Sequence, residues 1–308
     1  MKKNSLKKSY LLLSLMVLFV VGFGLGICYR QVQKSVVLRV SMERDKVDYD
    51  LLSAMNYMQY LFKQNGYKVY ETKYPGNFYF NEADNADVNV FVRAYNPFLD
   101  TRFNKDAFNM SYIHRFTNVH EVEFNGYDYY LSSQHSFINF FEGQRHIAYF
   151  AGGAVPHKLL KPNYQYDVLY IYEYFAPEYE NVVMQFNKHK LYGGIGFAAL
   201  SEKERQDELA KAKTVVYFSG FFGGDDEDYI PYAAYDIISY GRPLITNLRK
   251  SLVQKFGSDV YLFDTADDFY KVLTDALKEN DELREKRAQA ARQKLLHSQA
   301  TKVFDFIK

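Results

Sequence analysis

Two rhythms of apolar and polar positions run along this chain. The first is a single block from Tyr10 to Cys28, about nineteen residues without a charge, preceded by Lys2, Lys3, Lys7 and Lys8. At roughly 1.5 Å per residue such a block just crosses a bilayer core. It is longer than the usual core of a secretion signal, and Gly26-Ile27-Cys28 offers no small-x-small cleavage site. An uncleaved transmembrane anchor over residues 10–28 is therefore favoured over a cleaved signal peptide. Arg30, Lys34, Arg39, Arg44 and Lys46 follow the block, so positive-inside counting is nearly balanced. The tighter lysine cluster before it leans toward an internal N-terminus, and the side on which the globular part lies stays open.

The second rhythm is an alternation of strand-like and helix-like pieces. Val36 to Val40 reads as a short apolar strand. Asp48 or Asp50 can cap a helix in which Leu51, Leu52, Met55, Met58, Leu61 and Phe62 share one face, and Gly66 ends it. Further strands are expected at Tyr67 to Tyr70, Asp87 to Val92, Met110 to His114, Tyr127 to Ser132 and His146 to Phe150, with a short helix over 134–142. Gly152-Gly153-Ala154-Val155-Pro156 and Lys161-Pro162-Asn163 then punctuate the chain. The alternation resumes with strands at Tyr166 to Ile171, Lys190 to Tyr192 and Thr214 to Phe218, and a helix over Ser201 to Ala212. Strands alternating with helices imply an α/β protein with parallel sheets covered on both faces.

Composition works mainly by exclusion. Hydrophobic content of 48% and charged content of 24% describe a folded chain, and 308 residues suffice for two modest domains. A net charge of +1 gives no argument for nucleic acid as a partner. Cys28 is the single cysteine, which excludes an intrachain disulfide and a thiolate metal site; the seven histidines show no metal-protease spacing. No metal is expected. The 29 Tyr and 26 Phe can line sugar sites, but filling cores is their ordinary use.

The richest chemistry lies between Asp228 and Thr246. Asp228 falls in a loop and Asp236 eight positions later in a helix, so both carboxylates can face one cleft near that helix's N-terminus. Gly241 suits a left-handed helix end, Pro243 cannot continue the helix, and Leu244 and Ile245 begin a strand. Downstream come the strand Val260 to Asp264, a capped helix opened by Thr265-Ala266-Asp267-Asp268, and the charged run Glu279 to Arg292 followed by His297.

This order of pieces resembles the nucleotide-sugar-binding segment of GT-B glycosyltransferases, especially the "glycosyl transferases group 1" C-terminal domain of spore-maturation-type proteins. The likeness covers about residues 214–308 well and the middle of the chain loosely. It implies two Rossmann-like domains, a stub and anchor over 1–34, an acceptor-side domain over 35–160 and a nucleotide-sugar domain over 161–308. It further implies a C-terminal helix packing back toward the first domain.

By the same resemblance Asp236 takes the place of the Glu that binds ribose hydroxyls, and Asp228 the place of the acid near the donor sugar or its phosphates. A carboxylate can accept two hydrogen bonds from a vicinal diol. Amides near Pro231 could face the diphosphate, and the turn Gly223-Gly224 and Arg242 lie in the right half of the chain. His114, expected to end a strand, is the candidate general base, with His120, Glu121 and His135 as alternatives. The implied function is transfer of a sugar from a nucleotide-sugar donor to a glycan or lipid-linked acceptor, with no cofactor, in a single-pass protein of a bacterial inner membrane. The alternative is a catalytically inactive relative that binds a carbohydrate or a partner protein at the membrane. Three departures count against activity. Asp stands for the family's Glu, Ile171-Tyr172-Glu173-Tyr174-Phe175 replaces a strand–Gly–small-residue opening, and no clear Arg/Lys pair stands where a diphosphate would need it, although Lys188 and Lys190 lie in that half.

Overall fold

Two parallel sheets follow one another along the chain. The computed structural model describes residues 34–40, 47–73, 86–92, 106–114, 127–134, 138–139, 146–173, 177–219 and 229–298. The expected anchor at 10–28 lies outside the described residues, among which no helix is long and apolar enough to cross a membrane.

The first sheet has six strands in the order β2-β1-β3-β4-β5-β6. They are β1 (Ser35–Val40), β2 (Lys68–Lys73), β3 (Val88–Val92), β4 (Phe108–Ile113), β5 (Tyr129–Ser132) and β6 (Ile147–Tyr149). Every pairing is parallel. All five residues of β3 are buried, as a strand covered on both faces requires. Between β1 and β2 runs α1 (Tyr49–Gln64), whose N-cap is Asp48: its carboxylate accepts from the Leu51 amide at 2.8 Å. Of the two candidate caps, Asp50 is thus released for another task. Leu51, Met55, Met58, Leu61 and Phe62 form the buried stripe of this helix.

The second sheet has the order β11-β10-β9-β7-β8, again parallel throughout. Its strands are β7 (Tyr166–Tyr172), β8 (His189–Gly193), β9 (Ala212–Phe218), β10 (Leu244–Asn247) and β11 (Tyr261–Phe263). The helices are α2 (Pro177–Val183), α3 (Gly194–Ala199), α4 (Glu202–Lys211), α5 (Tyr232–Ser239), α6 (Lys250–Phe256), α7 (Ala266–Lys278) and α8 (Asp281–His297). Ser201 and Glu204 close a reciprocal capping box on α4, and Thr265 caps α7. The Gly-rich stretch Gly193-Gly194-Ile195-Gly196 ends β8 and opens α3. After α5 the backbone turns at Gly241 with φ of 73°, a left-handed conformation that favours glycine, and β10 follows directly.

In each sheet the first strand lies between the second and the third, so the connections depart in opposite directions. The switch points fall between β1 and β3 and between β7 and β9, and ligands of such sheets gather beyond the carboxyl ends of those strands. The change of sheet falls between Tyr149 and Tyr166.

One apolar core runs through both units. It joins Tyr57, Met58 and Tyr112 of the first unit to Tyr232, Ala233 and Ile237 of the second. Phe150 stacks on Tyr232 at 5.9 Å and meets Tyr112 edge-on at 5.5 Å. The connection passes so close that a Cβ on Gly153 would lie 2.5 Å from the Tyr57 ring. Helix α8 packs on α5 and on the connection, where Arg292 donates to the carbonyls of Ser239 and His157, each at 2.8 Å.

Candidate functional site

Helix α5 begins immediately after Pro231, whose side chain cannot cap it. The first amides of any helix lack intrahelical acceptors. Here the acceptor comes from the first unit: Asp50, fully buried in α1, accepts from the Ala233 amide at 2.9 Å. Its second oxygen accepts from the Tyr229 hydroxyl at 2.5 Å. The negative end-group is favourable at that position, because the helix dipole places partial positive charge there.

Asp236 lies one turn further along α5 and is only 5% exposed. The neighbouring residue of α1, Tyr49, donates its hydroxyl to Asp236 Oδ2 at 2.8 Å. His157 of the connection donates from Nε2 to Oδ1 at 2.9 Å. The His157 ring stacks on Tyr240 at 3.9 Å, and Arg292 holds its carbonyl. Burial first, and the Asp236 charge second, push the Tyr49 phenol well above the ordinary tyrosine range, so it remains a neutral donor. Adjacent residues of one helix thus meet the two polar groups on the N-terminal half of α5.

His114 follows β4 at its carboxyl end, as expected. Its Nδ1 lies 3.1 Å from the Tyr112 hydroxyl, and its Nε2 is 3.3 Å from Asp50 Oδ2. Both nitrogens therefore face groups of this chain within a buried cluster. The carboxyl edge of the second sheet adds three groups. Glu173 follows β7 and accepts from the Tyr217 hydroxyl at 3.1 Å. Ser219 follows β9, and Arg249 follows β10, donating to Ser219 Oγ at 2.8 Å. The Arg249 guanidinium lies 6.0 Å from the Tyr229 ring centroid, which ties this edge to the start of α5.

The structure therefore brings Asp236, Pro231 and His114 to one region. Arg242 is not brought to it. It lies at the far end of α5, 1% exposed, donating to Glu285 at 3.0 Å and to the Ala212 carbonyl at 2.6 Å. Ala212 is the first residue of β9, so Arg242 belongs to the amino edge of the sheet. A buried guanidinium needs such partners, and here they are structural. Lys190, near the start of β8, likewise pairs with Glu208 at 3.4 Å. Asp228, Gly223 and Gly224 lie outside the described residues, as do His120, Glu121 and His135.

Sequence reasoning missed Tyr49, His157, Tyr229 and Arg249, and saw Asp50 only as a cap. A signal existed for Asp50: two acids open α1 and one suffices to cap it. Nothing local marks the others. Among the described residues no group of His, Cys, Asp and Glu could hold a metal ion.

No family model and no curated protein matches the chain. Solved structures do. An alpha-glucosyltransferase in complex with UDP and a 13-mer DNA aligns with a TM-score of 0.58 at 9% identity, over 87% of this chain and 96% of that one. Sucrose-phosphate synthase from Thermosynechococcus elongatus aligns with a TM-score of 0.53 at 8% identity, over 86% and 94%. Anabaena HepE, in complex with UDP-glucose, gives 0.51 at 8% identity, over 86% and 96%. The alignment to TarM spans 52% of that protein's length.

Proposed function

We propose, from the GT-B fold that these likenesses establish, that the chain is a glycosyltransferase that takes its sugar from a nucleotide-sugar donor. Two of these solved neighbours, the alpha-glucosyltransferase and HepE, hold UDP or UDP-glucose, which supports a donor of that class. The observation that carries the reading is the position of Asp236. It projects from the first turns of α5, beside the helix amides, on the side facing the first unit. A ribose diol would donate to Asp236, and the diphosphate would lie toward the α5 amides and Arg249. Such chemistry proceeds by positioning and by stabilising the leaving diphosphate, and calls for no metal. Residues 10–28 would anchor the protein in a membrane and hold the cleft near a glycan or lipid-linked acceptor. The unit boundary would fall near residue 160, with Asp228, Gly223 and Gly224 at the donor's sugar and phosphates.

One observation favours a second reading, a GT-B-like protein without catalysis that binds a carbohydrate or a partner protein. The groups a donor would use are already engaged: Asp236 by Tyr49 and His157, and the Ala233 amide by Asp50. The deciding experiment is calorimetric titration of the full chain in detergent micelles with the uridine, guanosine and cytidine diphosphates. Binding of at least one is expected, and Asp236→Ala should weaken it by roughly 1.5–3 kcal/mol. A folded protein that binds none of the three supports the second reading; binding unchanged in Asp236→Ala removes Asp236 from the site.

A further inference from the structure

A cavity of about 500 Å³ opens between the two units. Its wall includes Tyr149 at the end of β6, Gly152 of the connection, Tyr235 of α5, and Ser251, Gln254 and Lys255 of α6. Neither Asp236 nor Asp50 lines it, although Ile230, beside Pro231, does. Lys255 is the lone charged side chain among its described lining residues. Its ammonium donates to the Tyr235 hydroxyl at 3.4 Å and lies 4.5 Å from the centroid of that ring. No described carboxylate pairs with it. Burial pushes the ammonium down to about 8, and no neighbouring acid offsets the shift.

The placement of this cation is built by the fold. A Cβ on Gly152 would lie 2.3 Å from the Tyr235 ring, so only glycine lets the connection come so close to that ring. The ammonium rests over the ring so placed. A partly desolvated cation without a counter-ion is costly, and an incoming anion relieves the cost. The Gln254 amide adds hydrogen-bonding groups, and Tyr149 adds an aromatic face that is 37% exposed. Cavities of roughly 300–1,000 Å³ are those that take small molecules.

We propose that this cavity binds a small anionic molecule, a phosphate or carboxylate carried on a sugar-sized body, with Lys255 as its counter-ion. The inference does not depend on the donor reading, since it uses none of the same residues.

The test is calorimetric titration of the full chain in detergent micelles at pH 7 with glucose 6-phosphate, glucuronate and glucose. At least one of the two anions should bind, and glucose should bind far more weakly. Which anion binds identifies the group. Lys255→Met should weaken that binding about tenfold or more, because a charged hydrogen-bond partner is lost. Lys255→Arg should retain most of it. Near pH 8 binding should draw in a proton, seen as a heat that varies with the ionisation enthalpy of the buffer. Failure of both anions to bind, glucose binding as tightly as they do, or unchanged affinity in a folded Lys255→Met protein would overturn the proposal. If that variant does not fold, acetylation of Lys255 in the wild-type chain decides the matter. The anion should slow labelling at this residue several-fold, and labelling unaffected by a saturating anion refutes the site.

Discussion

Tyr49→Phe removes one oxygen from the face between the two units and leaves the rest of the side chain in place. The ring keeps its edge contact with Phe197 at 4.8 Å and with Tyr217 at 6.5 Å. Only the hydroxyl that donates to Asp236 at 2.8 Å is lost. A hydrogen bond to a buried charge contributes about 1.5–3 kcal/mol, so the unliganded protein should lose that much stability. For a chain of this size the thermal midpoint should fall by roughly 3–10 °C. Nucleotide binding should move the other way. If Asp236 receives a ribose diol, the nucleotide must displace the Tyr49 hydroxyl, and the variant has nothing there to displace. Its affinity for UDP should rise roughly tenfold to a hundredfold, the same free energy seen from the ligand's side. Thermal melts and UDP calorimetry on one preparation read both effects. A variant that loses stability while UDP affinity stays level or falls would show that Tyr49 and Asp236 form a strut between the units and nothing more.

Asp50→Ala leaves the Ala233 amide and the Tyr229 hydroxyl without their buried acceptor, and should cost about 2–4 kcal/mol in denaturant unfolding, among the largest losses of any single change at this face. Arg242→Met should cost a similar amount, because Glu285 and the Ala212 carbonyl lose a buried partner, yet it should leave nucleotide affinity within twofold; a larger change would return Arg242 to the site. Lys255 binds its proton less tightly in the folded state, at about 8, than in the unfolded state. The unfolded chain therefore holds more protons above pH 8, stability should rise from there toward pH 10.5, and the penalty should be fully present below pH 8. Lys255→Met should be more stable than wild type near pH 7 by on the order of 1 kcal/mol after allowance for solvent screening, with the difference fading by pH 10.5; midpoints of both proteins across that range test the sign. A reporter fused after Lys308 should signal on the cytoplasmic side of a bacterial membrane if the chain uses nucleotide sugars held there, and signal confined to the outer side would contradict the glycosyltransferase reading.

Much of the second unit was legible in the sequence because its signals are local. Gly241 and Pro243 stop α5 and start β10 within a few residues, and Ser201 with Glu204 caps α4, each by contacts no more than one turn apart. Helix α3 escaped because its six residues, Gly194–Ala199, are too short to show a period and begin with a Gly-rich stretch. The site was legible only by half. Asp236 and Pro231 stand where the motif puts them, but their partners Tyr49 and Asp50 lie 187 and 183 residues from the groups they bond. At the start of a helix such residues read as surface or cap until the second unit is set beside them. Arg242 failed for a related reason: charge and position in the chain do not reveal which edge of a sheet a residue occupies.

The contact of Asp50 with Ala233 also bears on how the molecule is made. During synthesis Asp50 leaves the ribosome long before the amide it will serve, with 183 residues still between them. At roughly 5–20 residues per second the interval is about 10–40 s. For that time the carboxylate that ends fully buried must stay hydrated, and the face of α1 beside it stays uncovered. The first half of the molecule therefore waits for the second. A nascent chain halted before residue 233 should hold this face of α1 open to solvent and to chaperones, and hydrogen exchange on such halted chains should find Ser53 and Tyr57, on the side that meets α5, far less protected than in the released protein.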